Sequence, residues 1–256
     1  MLLEGRKAIV TGAASGIGRA TAERLGAEGA SVCVNYYADD EADAAEELVA
    51  SIRGERRRAV AVQADVGSEE DAARLVATAA QELGGLDLLV NNAGVENKVP
   101  LLELPLRDWE RVLRTNLTGA FLCLREAANV MAPTGGGVIV NVSSVHEFIP
   151  WAGYAHYCSS KGGLKLLMAT AARELAASGI RVLNVAPGAI ATPINEQVLD
   201  DPQAKRAVEQ EVPLGRFGQA QEIAAAIAWV SSDEASYVTG TTIVVDGGMS
   251  LYPRFV

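Results

Sequence analysis

Seven short runs of largely apolar residues recur along the chain: Ala8-Ile9-Val10, Val32-Cys33-Val34, Val60-Ala61-Val62, Leu86 to Val90, Val138 to Val142, Arg181-Val182-Leu183 and Thr242 to Val245. They are continuous rather than alternating, the pattern of strands buried on both faces. Between them the period changes to that of a helix. Ala72, Leu75, Val76, Ala79, Ala80 and Leu83 fall on one face of an amphipathic helix. Ser68-Glu69-Glu70-Asp71 precedes them, a capping hydroxyl followed by acids in the first turn. Ile223, Ile227 and Val230 repeat the logic over 223–230, and long apolar helices are expected at about 105–131 and 152–178. Alternating strand and helix predicts right-handed crossovers and a parallel sheet covered on both faces. The expected fold class is α/β, one doubly wound domain with seven parallel strands over 1–256.

Composition narrows the partners. The 256 residues are 49% hydrophobic and 21% charged, with no repeat or linker, so the chain can bury a substantial core. A net charge of −10 argues against nucleic acid, which wants a basic footprint. The basic cluster Arg56-Arg57-Arg58 is expected to be a solvated loop. Cys33, Cys123 and Cys158 are odd in number and lack ligand spacing, so neither a disulfide framework nor a metal site is expected. Reduced thiols point to the cytoplasm. The N-terminus enters a strand-like run at once, so no signal peptide is expected, and no apolar stretch suits a membrane.

The first strand runs into Thr11-Gly12-Ala13-Ala14-Ser15-Gly16-Ile17-Gly18 and then a helical pattern. Such a turn lets backbone approach a pyrophosphate at a helix N-terminus; tight packing alone would also explain the glycines. The lysine-tipped loop of the nucleotide triphosphatases is absent. Asn91-Asn92-Ala93-Gly94 ends the fourth strand, where open α/β sheets bind ligands, although turn-forming residues also suit any turn. Asp65 ends the third strand, as an acceptor for an adenine amino group or as a local cap.

The chemistry concentrates in 141–165. Asn141-Val142-Ser143-Ser144 closes the fifth strand, and Tyr157 and Lys161 follow four apart, on one helix face. A tyrosine works as an acid/base only if its pKa falls from about 10 toward the working pH, and a neighbouring ammonium favours that fall. Ser144 is placed to hold a substrate oxygen, and Asn116 to hold a water relaying protons to Lys161. Spacing alone also fits an ordinary helix.

Taken in order, Thr11-Gly12 to Gly18, Asn91 to Gly94, Asn116, Ser144, Tyr157 with Lys161, and Pro187-Gly188 resemble the short-chain dehydrogenase/reductase family over essentially the whole chain. The resemblance implies a Rossmann-like fold, and a catalytic tetrad of Asn116, Ser144, Tyr157 and Lys161. It implies cofactor contacts from Gly12, Ser15, Gly16, Ile17, Gly18, Tyr36, Tyr37, Asp65, Val66, Asn92, Ala93, Gly94, Tyr157, Lys161, Pro187, Gly188, Ile190 and Thr192. Residues 189–215 are similar to the family's substrate lid. Segments around Glu96-Asn97, Ser143 to Glu147, Ile149-Pro150-Trp151, Pro187 to Asn195 and Glu234 to Gly240 resemble the bacterial glucose 1-dehydrogenases within that family. They imply oxidation of β-D-glucose at C1 to gluconolactone, with Glu96, Ser144, His146, Tyr157 and Asn195 around the sugar. The tail Pro253-Arg254-Phe255-Val256 is shorter than expected for that group. His156 and Cys158 are expected to be packed. Another sugar, a polyol, a ketone or a 3-ketoacyl thioester is the alternative substrate class. A non-catalytic dinucleotide-binding regulator sits poorly with an intact tetrad. Family resemblance also implies a homotetramer.

For the cofactor, Tyr36 stands where an NAD enzyme usually has an acid, and Tyr37 follows where dual-cofactor relatives often carry arginine. Asp39, Asp40 and Glu41 should repel a 2′-phosphate. The expectation is NAD preferred, with NADP possible.

Overall fold

The computed structural model describes residues 1–54 and 57–251. Its strands are β1 (Lys7–Val10), β2 (Ser31–Tyr36), β3 (Ala59–Gln63), β4 (Leu88–Asn91), β5 (Gly137–Val142), β6 (Ile180–Pro187), β7 (Ile190–Ala191), β8 (Gly218–Gln219) and β9 (Thr242–Val245). Its α-helices are α1 (Gly16–Ala27), α2 (Ala42–Ile52), α3 (Glu69–Leu83), α4 (Leu106–Leu113), α5 (Ala120–Met131), α6 (Ala155–Leu175), α7 (Glu196–Asp200), α8 (Pro202–Glu211) and α9 (Ala220–Ser231). Seven strands form one sheet in the order β3-β2-β1-β4-β5-β6-β9, and β7 pairs with β8 apart from it. Every pairing in the large sheet is parallel.

Alternate residues of each strand feed two cores. Ala8, Val10, Val32, Val34 and Val90 pack against α1, α2 and α9 on one face. Ile9, Cys33, Leu89, Ile139 and Val182 pack against α3, α5 and α6 on the other. The strand order reverses between β1 and β4, the switch point at which doubly wound sheets open a crevice at their carboxyl ends. Helix α3 begins as its sequence signals, with the Ser68 hydroxyl accepting from the Asp71 N–H, and ends at Gly84 in the left-handed conformation (φ 76°).

Two expectations need correction. The helix expected at about 105–131 is continuous but irregular, because a π-helical turn at Arg114–Gly119 joins α4 to α5. Inside that turn Asn116 points inward and binds Val95 backbone rather than continuing a regular face. The basic cluster is not simply solvated. Arg57 donates to the Gly26 carbonyl at 2.7 Å and Arg58 to the Glu82 carbonyl at 3.2 Å, so each satisfies the open last turn of a helix. Arg56 and the tail Pro253 to Val256 lie outside the described residues. The two-residue strands β7 and β8 carry too little pattern to be read in advance. Among the described residues no helix is long and apolar enough to cross a membrane.

Candidate active site

A cavity of about 570 Å³ lies over the carboxyl ends of β1, β4 and β5. Its floor at one end is the glycine turn. Gly12 and Gly16 have φ of 60° and 55°, where a side chain would be strained. The N-cap residue of α1, Ser15, makes no side-chain cap bond, and no acid stands in the first turn. The N–H groups there are left for an external anion.

Side chains beneath lock this turn to β4. The Thr11 hydroxyl accepts from the Asn92 and Ala93 N–H groups at 2.9 and 3.0 Å. The Asn92 carboxamide donates to the Thr11 and Gly12 carbonyls at 2.9 and 3.0 Å. Asn92 is therefore a clamp on the loop, while Ala93 and Gly94 line the cavity beside it. Gly18 does not line it. A β-carbon at Gly18 would run into the Gly12 carbonyl and the Asn92 amide, so its place in the motif is close packing.

At the adenosine end, Tyr37, Ala38 and Glu41 line the cavity and Tyr36 does not. Tyr36 instead packs against the core beside α1 and α2, because the strand's alternation turns it away. Asp65 lines the cavity, but its carboxylate accepts from the Gly67 N–H at 2.9 Å and pairs with Arg114 at 3.0 Å. Its expected role as an adenine acceptor is already partly filled by protein groups. Ser15, Ile17, Val66, Pro187, Gly188, Ile190 and Thr192 also line the cavity, with Thr192 beside Gly16.

At the other end Ser144, Tyr157 and Lys161 converge. Lys161 is buried and donates to the Val142 carbonyl at 2.8 Å. Its Nζ lies 5.5 Å from the centre of the Tyr157 ring. Burial pushes the Lys161 pKa down to about 8, against the opposing fields of Glu96 and Glu147. Burial also pushes the Tyr157 phenol up, with the Glu96 charge adding to it and the Ser144 hydroxyl working the other way. The expected fall of the tyrosine pKa is not seen: burial, the largest cause, raises it, and the one group that lowers it is the Ser144 hydroxyl. Asn116 does not line the cavity. Its carboxamide accepts from the Val95 N–H at 2.8 Å and donates to the Val95 carbonyl at 2.9 Å. The carboxamide fixes the backbone that leads to Glu96 and also reaches the Ser160 hydroxyl on α6 at 3.3 Å.

Glu96, His146 and Asn195 all line the cavity beside Ser144 and Tyr157. Burial raises Glu96 to about 6, with Lys161 pulling the other way. His146 Nδ1 lies 3.2 Å from the Ile149 carbonyl. A carbonyl only accepts, so Nδ1 carries the hydrogen and Nε2 is an acceptor. Burial lowers the His146 pKa, which keeps the ring neutral near pH 7. Asn195 donates to the Ile190 carbonyl at 2.9 Å. His156 is fully buried, with Nε2 3.1 Å from Asn97 Oδ1.

Several lining residues were given no individual role from the sequence: Asn35, Arg111, Ser143 and Trp151. Asn35 left a signal, a polar residue inside the apolar run of β2; it accepts from the Gly12 N–H at 3.1 Å. Trp151 lies between two rings, 4.5 Å from His146 and 3.6 Å from Tyr154, near parallel to both. Tyr157 stands edge-on to His146 and Trp151. The buried Ser143 hydroxyl has no partner among the described residues, although other atoms of Ser143 line the cavity. The uncapped helix N–H groups at the glycine turn fit the phosphates of a bound dinucleotide.

Residues 12–250 match the family model described as Enoyl-(Acyl carrier protein) reductase. The chain is 47% identical over 254 residues to 3beta-hydroxysteroid dehydrogenase 1 of Eggerthella lenta, covering 99% of this chain and 97% of that one. It is 44% identical over 254 residues to glucose 1-dehydrogenase 2 of Bacillus subtilis, covering 98% and 97%. The crystal structure of a blue fluorescent protein from a metagenomic library, in complex with NADPH, superposes with a TM-score of 0.91. That protein is 34% identical, with 97% of this chain and 99% of that chain covered.

Proposed function

The chain belongs to the short-chain dehydrogenase/reductase family, and from that premise we propose that it oxidises a ring hydroxyl, β-D-glucose at C1 first among the substrates, with NAD preferred over NADP. The observation that carries this reading is the convergence of Ser144, Tyr157 and Lys161 at one end of a cavity whose other end is the glycine turn and the uncapped start of α1. When bound, a nicotinamide dinucleotide supplies the two-electron acceptor. Ser15, Gly16 and Ile17 hold its phosphates through backbone N–H groups, and Tyr37 and Ala38 flank its adenosine end.

In this reading the Ser144 hydroxyl and the Tyr157 phenol hold the reacting alcohol oxygen, and the tyrosine oxygen takes its proton. The Lys161 ammonium stabilises the phenolate that must exist for that step. Further hydroxyls of a sugar meet Glu96 and the Nε2 acceptor of His146. Residues 189–215, containing α7 and α8, form the lid, and Asn195 is the polar group that it brings to the substrate.

Preference for NAD rests on Glu41. Its carboxylate accepts from the Tyr37 and Ala38 N–H groups at 2.9 and 3.0 Å. It thereby occupies two donors that a 2′-phosphate would use, and adds a like charge. Asp39 is held by Gln63 at 2.6 Å.

A second reading has an observation of its own. Ile194, Val198, Val208, Phe217 and Met249 make much of the lid side of the cavity apolar, which suits a fused alicyclic alcohol such as the hydroxysteroid implied by the name of one relative. Exposed Phe121, Leu166 and Val244 support assembly as a homotetramer. The test is the appearance of reduced nicotinamide with β-D-glucose and with a 3β-hydroxysteroid, with NAD and NADP in parallel. Turnover of glucose supports the first reading, and turnover of the steroid alone replaces it with the second. Failure of both with either cofactor would discard ring-alcohol oxidation.

A further inference from the structure

Residues 95–99, the stretch after β4 that carries Glu96, are bonded to several distant segments. In the π-helical turn, Asn116 accepts from the Val95 N–H and donates to its carbonyl, at 2.8 and 2.9 Å. The Val99 N–H donates to the Gly153 carbonyl, just ahead of α6, at 2.8 Å. Between these points the Asn97 side chain takes two donors on one atom. Its Oδ1 accepts from Arg111 Nη2 of α4 at 2.7 Å. The same oxygen lies 3.1 Å from Nε2 of the buried His156, the residue before Tyr157 on α6.

Arg111 settles the orientation of that amide. A guanidinium only donates, so the Asn97 atom facing it is the oxygen. An amide oxygen only accepts, so Nε2 of His156 carries a hydrogen. The chain's two histidines are therefore held differently, His146 with hydrogen on Nδ1 and His156 with hydrogen on Nε2. Arg111 and Glu96 line one cavity, yet among the described residues neither has an ion-pair partner. The Arg111 guanidinium is committed to Asn97. Glu96, with no counter-ion in contact, stands where the backbone on either side places it.

We propose that Asn97 is a positioning residue for substrate selection: its amide oxygen, shared by Arg111 and His156, fastens the Glu96 loop to α4 and to the helix of Tyr157, and so sets the gap between Glu96 and Tyr157 in which a polyhydroxylated substrate lies. This rests on the proposed role of Glu96 toward a sugar. Asn97 follows Glu96 directly in the chain, so a shift of its backbone carries the Glu96 carboxylate with it. Hydrogen bonds from a charged donor are the stronger kind, and a displacement of about 1 Å remote from the reacting atoms costs up to about 10²-fold.

The test compares the natural chain with Asn97→Leu, which removes the acceptor, and Asn97→Asp, which keeps one. Long-range nitrogen–proton NMR of the two histidine rings reads the bracket directly, with His146→Gln assigning the signals. The natural chain should show His156 with a protected hydrogen on Nε2. That hydrogen should be lost to solvent exchange in Asn97→Leu and persist in Asn97→Asp. Asn97→Leu should raise KM for β-D-glucose about threefold to tenfold, the equivalent of one hydrogen bond, with kcat within about twofold. Asn97→Asp should restore KM. Cyclohexanol, with no second hydroxyl to meet Glu96, should be oxidised alike by the natural chain and Asn97→Leu. A natural KM for glucose in folded Asn97→Leu overturns the proposal, as does an equal loss on both alcohols, which marks a merely structural role. If the natural chain turns over no polyol, the proposed function fails and the ring signals decide the bracket by themselves. An Nε2 hydrogen retained in Asn97→Leu then overturns it, and one lost there but kept in Asn97→Asp upholds it.

Discussion

The Lys161 ammonium stands 5.5 Å from the centre of the Tyr157 ring, one helical turn along α6. Burial holds the phenol in its protonated form and weakens the ammonium, so the two groups are tuned in opposite senses by one dry environment. Oxidation needs a phenol oxygen that can take a proton. Its rate should therefore rise as pH increases from neutrality, until Lys161 loses its charge. Tyr157→Phe should lower kcat by about 10²–10⁴-fold, with reduced-cofactor affinity, read by fluorescence titration, changed little. Retained turnover in that variant would remove Tyr157 from the acid/base role.

Glu96 is a site where function opposes stability. Its folded-state pKa is raised from 4.5 to about 6 by burial, so the native protein binds a proton more tightly there than the unfolded chain. Stability from this group is full below pH 4.5 and is lost as pH rises through about 6. Glu96→Gln should stabilise the protein at pH 8 by no more than about 2 kcal/mol, and by nothing near pH 4, while weakening substrate binding. Thermal denaturation at the two pH values checks the sign. A gain at acid pH alone would contradict it.

Glu41→Ala frees the Tyr37 and Ala38 N–H groups that its carboxylate now occupies and deletes a negative charge at the cavity rim. NADPH affinity should rise by about tenfold or more, the equivalent of one charged hydrogen bond. Affinity for NADH should stay within about threefold. Direct titration of both reduced cofactors decides it, and an unchanged NADPH constant counts against Glu41 as the discriminating group.

Gly18→Ala forces a methyl against the Gly12 carbonyl and the Asn92 amide. Because those atoms form the clamp under the glycine turn, the cost should be about 1–3 kcal/mol in stability, accompanied by loss of reduced-cofactor binding. Gly162→Ala is the control, since a β-carbon there meets nothing within 4 Å. Equal effects at the two positions would contradict the packing role given to Gly18.

Strand and helix positions were legible because they depend on neighbours in the chain. Continuous apolar runs marked all seven strands of the large sheet, and the Ser68 cap and Leu83 face marked α3 to its ends. The glycine turn and the Tyr157–Lys161 spacing were legible for the same reason, since one strand end and one helix face set them. The asparagines at 35, 141 and 184 were visible as polar breaks in apolar strands, but their partners lie on distant segments.

Which group each side chain serves was decided by contacts between distant segments. The sequence offered Asn116 as a polar group near Lys161, but that its carboxamide binds Val95, 21 residues away, is visible only in the fold. Tyr36 and Gly18 stood at the right sequence positions, yet packing placed one against the core and the other under the loop. The pKa of Tyr157 runs opposite to the reading from its neighbour Lys161, because desolvation is a property of the whole enclosure. Local pattern carries backbone conformation and residue chemistry; burial and hydrogen-bond partnership are long-range, and they set what that chemistry is able to do.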